Sequence, residues 1–157
     1  MYDPSSTKPD FMKRFFAPYN FPAFVDFALL LLRLVFGYAF ILHGWGKIQN
    51  PMNWMGPDSG IPSVFQALAA ISEFVGGIAL ILGLVTRLAS LGLLITMVVA
   101  VYTHAVKMGD PFVNPKGAGS YELPAIYLCI SILLLAAGAG GLSLDKALFG
   151  TRTVTLR

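Results

Sequence analysis

Four apolar blocks dominate the sequence, each about as long as the hydrocarbon core of a bilayer is thick. They run from Phe24 to Gly46, Val64 to Val85, Leu88 to Val106 and Leu123 to Leu142. Crossing that core takes about 20 mostly apolar residues in a helix. Chain breakers separate the blocks: Asn50-Pro51 through Pro57 and Ile61-Pro62, then Thr86-Arg87, then Asp110-Pro111 through Gly119-Ser120. The blocks are continuous rather than alternating, which excludes the strands of a β-barrel. In lipid each block has to close its own backbone hydrogen bonds, so each is predicted to be a helix. Composition agrees, because only 12% of the 157 residues are charged while 56% are apolar. A soluble domain carries about 25% charged residues. Disorder, nucleic-acid binding and a disulfide-stapled module are excluded with it, since Cys129 is the only cysteine. The predicted fold is all-α, an integral membrane four-helix bundle over 24–146, flanked by an N-terminal segment 1–23 and a C-terminal tail 147–157.

Charge sets the expected topology. One side of the bundle carries Lys8, Lys13, Arg14, Arg87, Lys146, Arg152 and Arg157; the other carries Lys47, Lys107 and Lys116. The positive-inside rule then puts both termini in the cytoplasm of a bacterial cell, with the chain in the inner membrane. No signal peptide is expected, because the first block is too long and lacks a small-residue cleavage site. Phe11, Phe15, Phe16 and Tyr19, interleaved with the early positives, suit an amphipathic segment lying on the membrane surface or a partly ordered tail.

Polar residues inside the blocks carry the functional information, because each costs about 2.5–3.5 kcal/mol at mid-bilayer on insertion scales. Arg33 and Glu73 each lie about ten residues into their blocks, so an Arg33–Glu73 pair at mid-depth is expected, either fixing helix register or bordering a pocket. His43, Lys47, His104 and Glu122 fall toward the other surface and are expected to converge there. Arg33, Gly37, Phe40, His43, Gly44 and Lys47 share one helical face; Met97, Val101, His104 and Met108 share another. The two histidines beside a carboxylate form a candidate proton-handling site or cap helix ends at the headgroups. No close pair of histidines supports a metal, and no haem is expected. Gly76-Gly77 reads as tight packing, Trp45 and Trp54 as interfacial anchors, and Cys129 as a small packing residue. Ser143 with Asp145 suits the start of a short helix, and Asp26 suits a cap on the first span.

These residues in this order resemble the DoxX family of small bacterial membrane proteins. The resemblance rests on Arg33, His43-Gly44-x-x-Lys47, Glu73-x-x-Gly76-Gly77 and Gly83-Leu84-x-Thr86-Arg87, then His104 and Glu122-Leu123. It implies a four-helix membrane protein, with relatives that include the DoxD-type subunit of a thiosulfate:quinone oxidoreductase and proteins tied to thiol and oxidative-stress protection. On that footing His43, His104 and Glu122 are candidate catalytic residues. Arg33, His43, Lys47, Glu73 and His104 are the candidates for binding a quinone. The chain is then at most the membrane subunit of a quinone-linked oxidoreductase, working with a membrane or soluble redox partner and a candidate for self-association. The alternatives are a non-catalytic scaffold in a larger complex and, more remotely, a permease.

Overall fold

The computed structural model describes residues 11–117 and 119–151, all of them helical or irregular. Lys8, Arg152 and Arg157 lie outside that range. A short helix α1, Phe11–Phe16, precedes the long α2, Ala23–Gln49. Then come α3, Ser63–Leu82, and α4, Thr86–Tyr102, which continues into a wider-wound π-type turn, Thr103–Lys107. The last long apolar helix is α5, Glu122–Ala137, and α6, Leu144–Phe149, closes the described chain. Pro22 and Pro62 immediately precede α2 and α3, where a missing N–H costs nothing and a fixed φ favours helix entry. Gly83, with φ 64°, ends α3 in the left-handed conformation that glycine adopts freely. Ser143 caps α6 as expected, its Oγ accepting from the Lys146 amide at 3.2 Å.

Three of these elements are long and apolar enough to cross a membrane: α2 with 27 residues, α3 with 20, and α4 with its extension at 22. The fourth is shorter than its apolar block. It stops at Ala137, because Gly138 and Gly140 take φ of 78° and 76° and turn the chain aside before Leu142. The bundle is inverted relative to a soluble one. Phe24, Val35 and Leu42 are 81%, 72% and 59% exposed on the helix exteriors, a surface suited to lipid rather than water. Cys129 is also exposed, so it is not the packing residue expected of it.

The helices pack in chain order, α2 on α3, α3 on α4 and α4 on α5, around Leu29, Phe36, Phe40, Leu80, Leu93, Met97 and Leu134. Contact between α2 and α3 is backbone-close. A Cβ on Gly77 would come 2.7 Å from the Gly37 carbonyl oxygen, and one on Gly44 would come 2.5 Å from the Phe74 nitrogen. The tight packing expected of Gly76-Gly77 is met at Gly77 and not at Gly76, where a Cβ would find only ordinary contacts at 3.9 Å. The seam between α2 and α5 is made largely of aromatic rings, with Tyr127 at 5.3 Å from Phe36 and 5.2 Å from Phe40 between centroids. Phe16 stacks on Phe149 at 5.3 Å, which brings α1 and α6 together at one end of the bundle.

Candidate functional site

The glycine contacts fix how far each helix reaches, and that decides where the charged residues meet. Gly37 opposes Gly77, and Gly44 opposes Phe74. One further turn along α2 from Gly44 therefore sets Lys47, not Arg33, against Glu73. Lys47 Nζ donates to Glu73 Oε1 at 2.6 Å. The expected Arg33–Glu73 pair does not form. The two residues are equally far from the starts of their helices, but α2 overhangs the end of α3 by about ten residues, roughly 15 Å at 1.5 Å per residue. Arg33 thus sits against Gly83, at the α1–α6 end.

At the other end a cavity of about 190 Å³ opens among four helices. Phe40, His43 and Lys47 line it from α2 and Glu73 from α3. Met97 and Ala100 face it from α4, His104 from the π-type turn, and Leu123, Pro124 and Tyr127 from α5. Four of the sequence candidates, His43, Lys47, Glu73 and His104, are therefore brought together. Glu122 is not among the lining residues; it is half-buried in the first turn of α5, about 100° around the helix from Leu123. Met108, expected on the same stripe as His104, is 63% exposed, because the wider turn breaks the register of the α4 face.

Each lining group has a defined setting. The Glu73 side chain is 3% exposed; Oε1 is taken by Lys47, and Oε2 is buried without a hydrogen-bond partner among the described residues. Lys47 Nζ also lies 4.5 Å from the Trp54 ring centroid, a cation–π contact that holds the ammonium in place. Trp54 is consequently more than an interfacial anchor. Its Nε1 donates to the Gln66 carbonyl at 2.9 Å. The buried Gln66 side chain in turn donates to Ile61 O at 2.9 Å and accepts from the Met55 amide at 3.1 Å. These bonds pin the loop after α2 over the cavity. His43, exposed at the rim, has its ring 6.2 Å from those of both Phe40 and Tyr127. His104 Nδ1 is 2.7 Å from Asp110 Oδ2. Sequence reasoning missed Asp110 and Tyr127. A tyrosine inside an apolar block was a signal for the second; Asp110 lies in a breaker run, and only the π-type turn folds it back onto His104.

The opposite end is fastened by buried charge bonded to backbone. Arg33 is fully buried, its Nη2 donating to Leu142 O at 2.5 Å, with Asp145 and Asp26 as the neighbouring acids. Asp26 does not cap its own helix; Oδ1 accepts from the Gly141 amide at 2.6 Å and so caps the turn after α5. Asp145 accepts from the amides of Val85 at 2.6 Å and Thr86 at 2.9 Å. That holds Val85 at φ 44°, a conformation a β-branched residue adopts only under constraint. Burial pushes the Asp145 carboxyl above its ordinary range, opposed by the Thr86 and Val85 hydrogen bonds and by Arg33. Arg87, 7% exposed, lies 5.3 Å from the Tyr19 ring.

Comparison with known proteins places this architecture. The DoxX family model matches residues 28–105. A Haemophilus influenzae protein is 33% identical over 132 residues, covering 83% of this chain and 97% of its own. The chain belongs to the DoxX family. A Bacillus subtilis relative bearing the name "Putative oxidoreductase CatD" is 32% identical over 127 residues, 79% of this chain and 89% of that protein. A Mycobacterium tuberculosis relative, named as an uncharacterized membrane protein, is 32% identical over 133 residues, 77% of this chain and 81% of its own. No solved structure matches this DoxX chain significantly. The matched span takes in Arg33, His43, Lys47, Glu73 and His104, and ends before Asp110 and Tyr127.

Proposed function

We propose that this DoxX protein is the membrane subunit of a quinone-linked redox system, holding the ring of a lipid-soluble quinone or hydroquinone among His43, Lys47, Glu73, His104 and Tyr127. One observation carries the reading: His43, Lys47, Glu73, His104 and Tyr127, from four helical elements, line one cavity sized for one ring. Ionisable side chains gathered at one largely apolar cavity are the usual make-up of a binding site. His104, oriented by Asp110, and His43 at the rim are the groups to carry protons to or from the ring. The quinone supplies the electron chemistry. With Cys129 as the only cysteine the chain has no dithiol couple of its own, so a membrane or soluble redox partner completes the electron path.

Access from the lipid supports a lipid-soluble ligand. A second cavity, of about 350 Å³ and lined only by apolar residues such as Val25, Ala28, Leu32, Leu133 and Ala137, lies along the same α2–α5 seam. Leu32 is eight residues, about 12 Å, from Phe40 along α2. An apolar chain leaving the ring site beside Phe40 runs along the seam into this cavity. For orientation, the α1–α6 end carries Lys13, Arg14, Arg87 and Lys146, against Lys47, Lys107 and Lys116 at the other. That asymmetry supports cytoplasmic termini in a bacterial inner membrane, with the ring site near the outer leaflet.

The test is quinone and hydroquinone binding to the purified protein in lipid nanodiscs. His43→Ala and His104→Ala are expected to weaken binding of the preferred form about tenfold or more. If both variants bind as the wild type does, the site assignment fails and the chain is better read as an accessory scaffold.

A further inference from the structure

The short helices α1 and α6 are held at a defined depth. Asp145 of α6 accepts from the amides of Val85 and Thr86 where α4 begins, so α6 is pinned at that level. Phe16 of α1 stacks on Phe149 of α6, and the Tyr19 ring lies against Arg87, the second residue of α4. With its extension α4 has 22 residues, about what crossing the hydrocarbon takes, so its first turn stands at one edge of the core. The two short helices therefore form a plate at headgroup level. On α6, Leu144 and Leu148 are exposed there with Lys146, and α1 exposes Lys13 and Arg14. We infer that this plate binds the headgroups of anionic phospholipids, an inference independent of the quinone reading.

Charge is sorted by sign at this end. The acids are spent on backbone: Asp145 is buried on its two amides, and Asp26 is bonded to the Gly141 amide at 2.6 Å. The bases Lys13, Arg14 and Lys146 are left on the surface, and Arg33 and Arg87 are buried at the same end. Among the described residues that is five bases against two acids. The sequence flanking the two short helices adds Lys8, Arg152 and Arg157 against Asp3 and Asp10. The other end reverses the balance, with Lys47, Lys107 and Lys116 against Asp58, Glu73, Asp110 and Glu122. Lys47 there is neutralised by Glu73 at 2.6 Å. Only the α1–α6 end thus presents a cationic surface, and basic side chains at headgroup level are drawn to anionic lipid. The exposed leucines commit the plate to lipid rather than to an acidic soluble protein, because at that depth they enter the acyl boundary while the charges stay with the phosphates.

The experiment is thermal unfolding of the full chain in vesicles of dioleoyl phosphatidylcholine, alone or mixed with dioleoyl phosphatidylglycerol, followed by tryptophan fluorescence. The two lipids share their acyl chains, so bilayer thickness is matched. At low salt the anionic vesicles are expected to raise the melting midpoint by at least about 4 °C. At about 1 M salt, where the screening length falls to about 3 Å, most of that shift is expected to vanish. Combining Lys13→Gln, Arg14→Gln and Lys146→Gln is expected to reduce the shift to about 1 °C or less. Lys107→Gln with Lys116→Gln, at the other end, is expected to keep it. Equal midpoints of the wild type in the two lipids at low salt overturn the inference and leave the plate to an acidic soluble partner. A shift that survives in the triple variant, or that the other-end variant removes, overturns it as well. Should the triple variant fail to fold, the wild-type salt dependence still decides, because a shift that salt leaves unmoved is not electrostatic and overturns the inference.

Discussion

The two ends of this bundle spend buried charge in opposite ways. At the α1–α6 end Arg33 and Asp145 are closed in completely, and with Asp26 they bind backbone: Arg33 to Leu142, Asp145 to Val85 and Thr86, and Asp26 to Gly141. At the other end Glu73 is as deeply buried, and a cavity lies beside it; buried side-chain atoms without a hydrogen bond occur at both ends, Arg33 Nε and Nη1 as well as Glu73 Oε2. Burial of charge alone therefore does not mark a site. What marks the candidate site is a cavity lined by several ionisable side chains, His43, Lys47, Glu73 and His104. The Arg33 end is the fastening of the fold; the Glu73 end is where stability has been forgone.

That contrast breaks most visibly on removal of a charge from each end. Arg33→Met leaves two acids without their cation and is expected to cost about 3–5 kcal/mol of unfolding stability. Glu73→Gln keeps an acceptor for Lys47 and removes a half-satisfied buried charge, so its cost is expected to stay under about 1 kcal/mol. Thermal unfolding of the two variants in the same lipid makes the comparison. If Glu73→Gln is the more destabilised, the assignment of the two ends is reversed.

A smaller effect sharpens the link between the ring site and the apolar seam. Ala28→Trp fills the lipid-facing cavity without touching the polar one. It is expected to weaken binding of a long-tailed ligand about tenfold, about 1.4 kcal/mol, and to leave a tailless ring unaffected. Equal losses for both ligands would separate the two cavities functionally.

The smallest effect concerns pH at the fastened end. The Asp145 carboxyl is raised in the folded state by burial, so the folded protein holds that proton more tightly than the unfolded chain. Its contribution to stability is thus largest at low pH and is lost as pH rises through the raised folded-state value. Melting curves across that interval are expected to show this slope in the wild type and to lose it in Asp145→Asn.

The spans were legible because lipid imposes a simple demand, about 20 continuous apolar residues with internal hydrogen bonds, and the sequence meets it openly. Family membership was legible from the few polar residues that interrupt those spans. Pairing was not. Counting Arg33 and Glu73 from the starts of their antiparallel helices assumed that the start of α2 lies level with the end of α3. The real register is set by Gly37, Gly44 and Gly77, whose contacts are visible only once the helices are packed. His104–Asp110 was hidden for a different reason, since a π-type turn has no distinctive composition. Asp26, which suited a cap on its own helix, instead caps a turn more than a hundred residues later in the chain.

The glycines that end α5 early also affect the surrounding lipid. With 16 residues, α5 is about 24 Å long at 1.5 Å per residue, against a hydrocarbon core of about 30 Å. Its neighbours α2 and α3 have 27 and 20 residues, so the mismatch falls on one side of the bundle. A stretch this short is accommodated by thinning of the adjacent lipid, by flanking residues reaching the interface or by a neighbouring subunit, all along α5, the helix that supplies one wall of the seam. The protein therefore carries a built-in preference for membrane thickness. In a thicker bilayer the cost of that mismatch is concentrated along the α2–α5 seam.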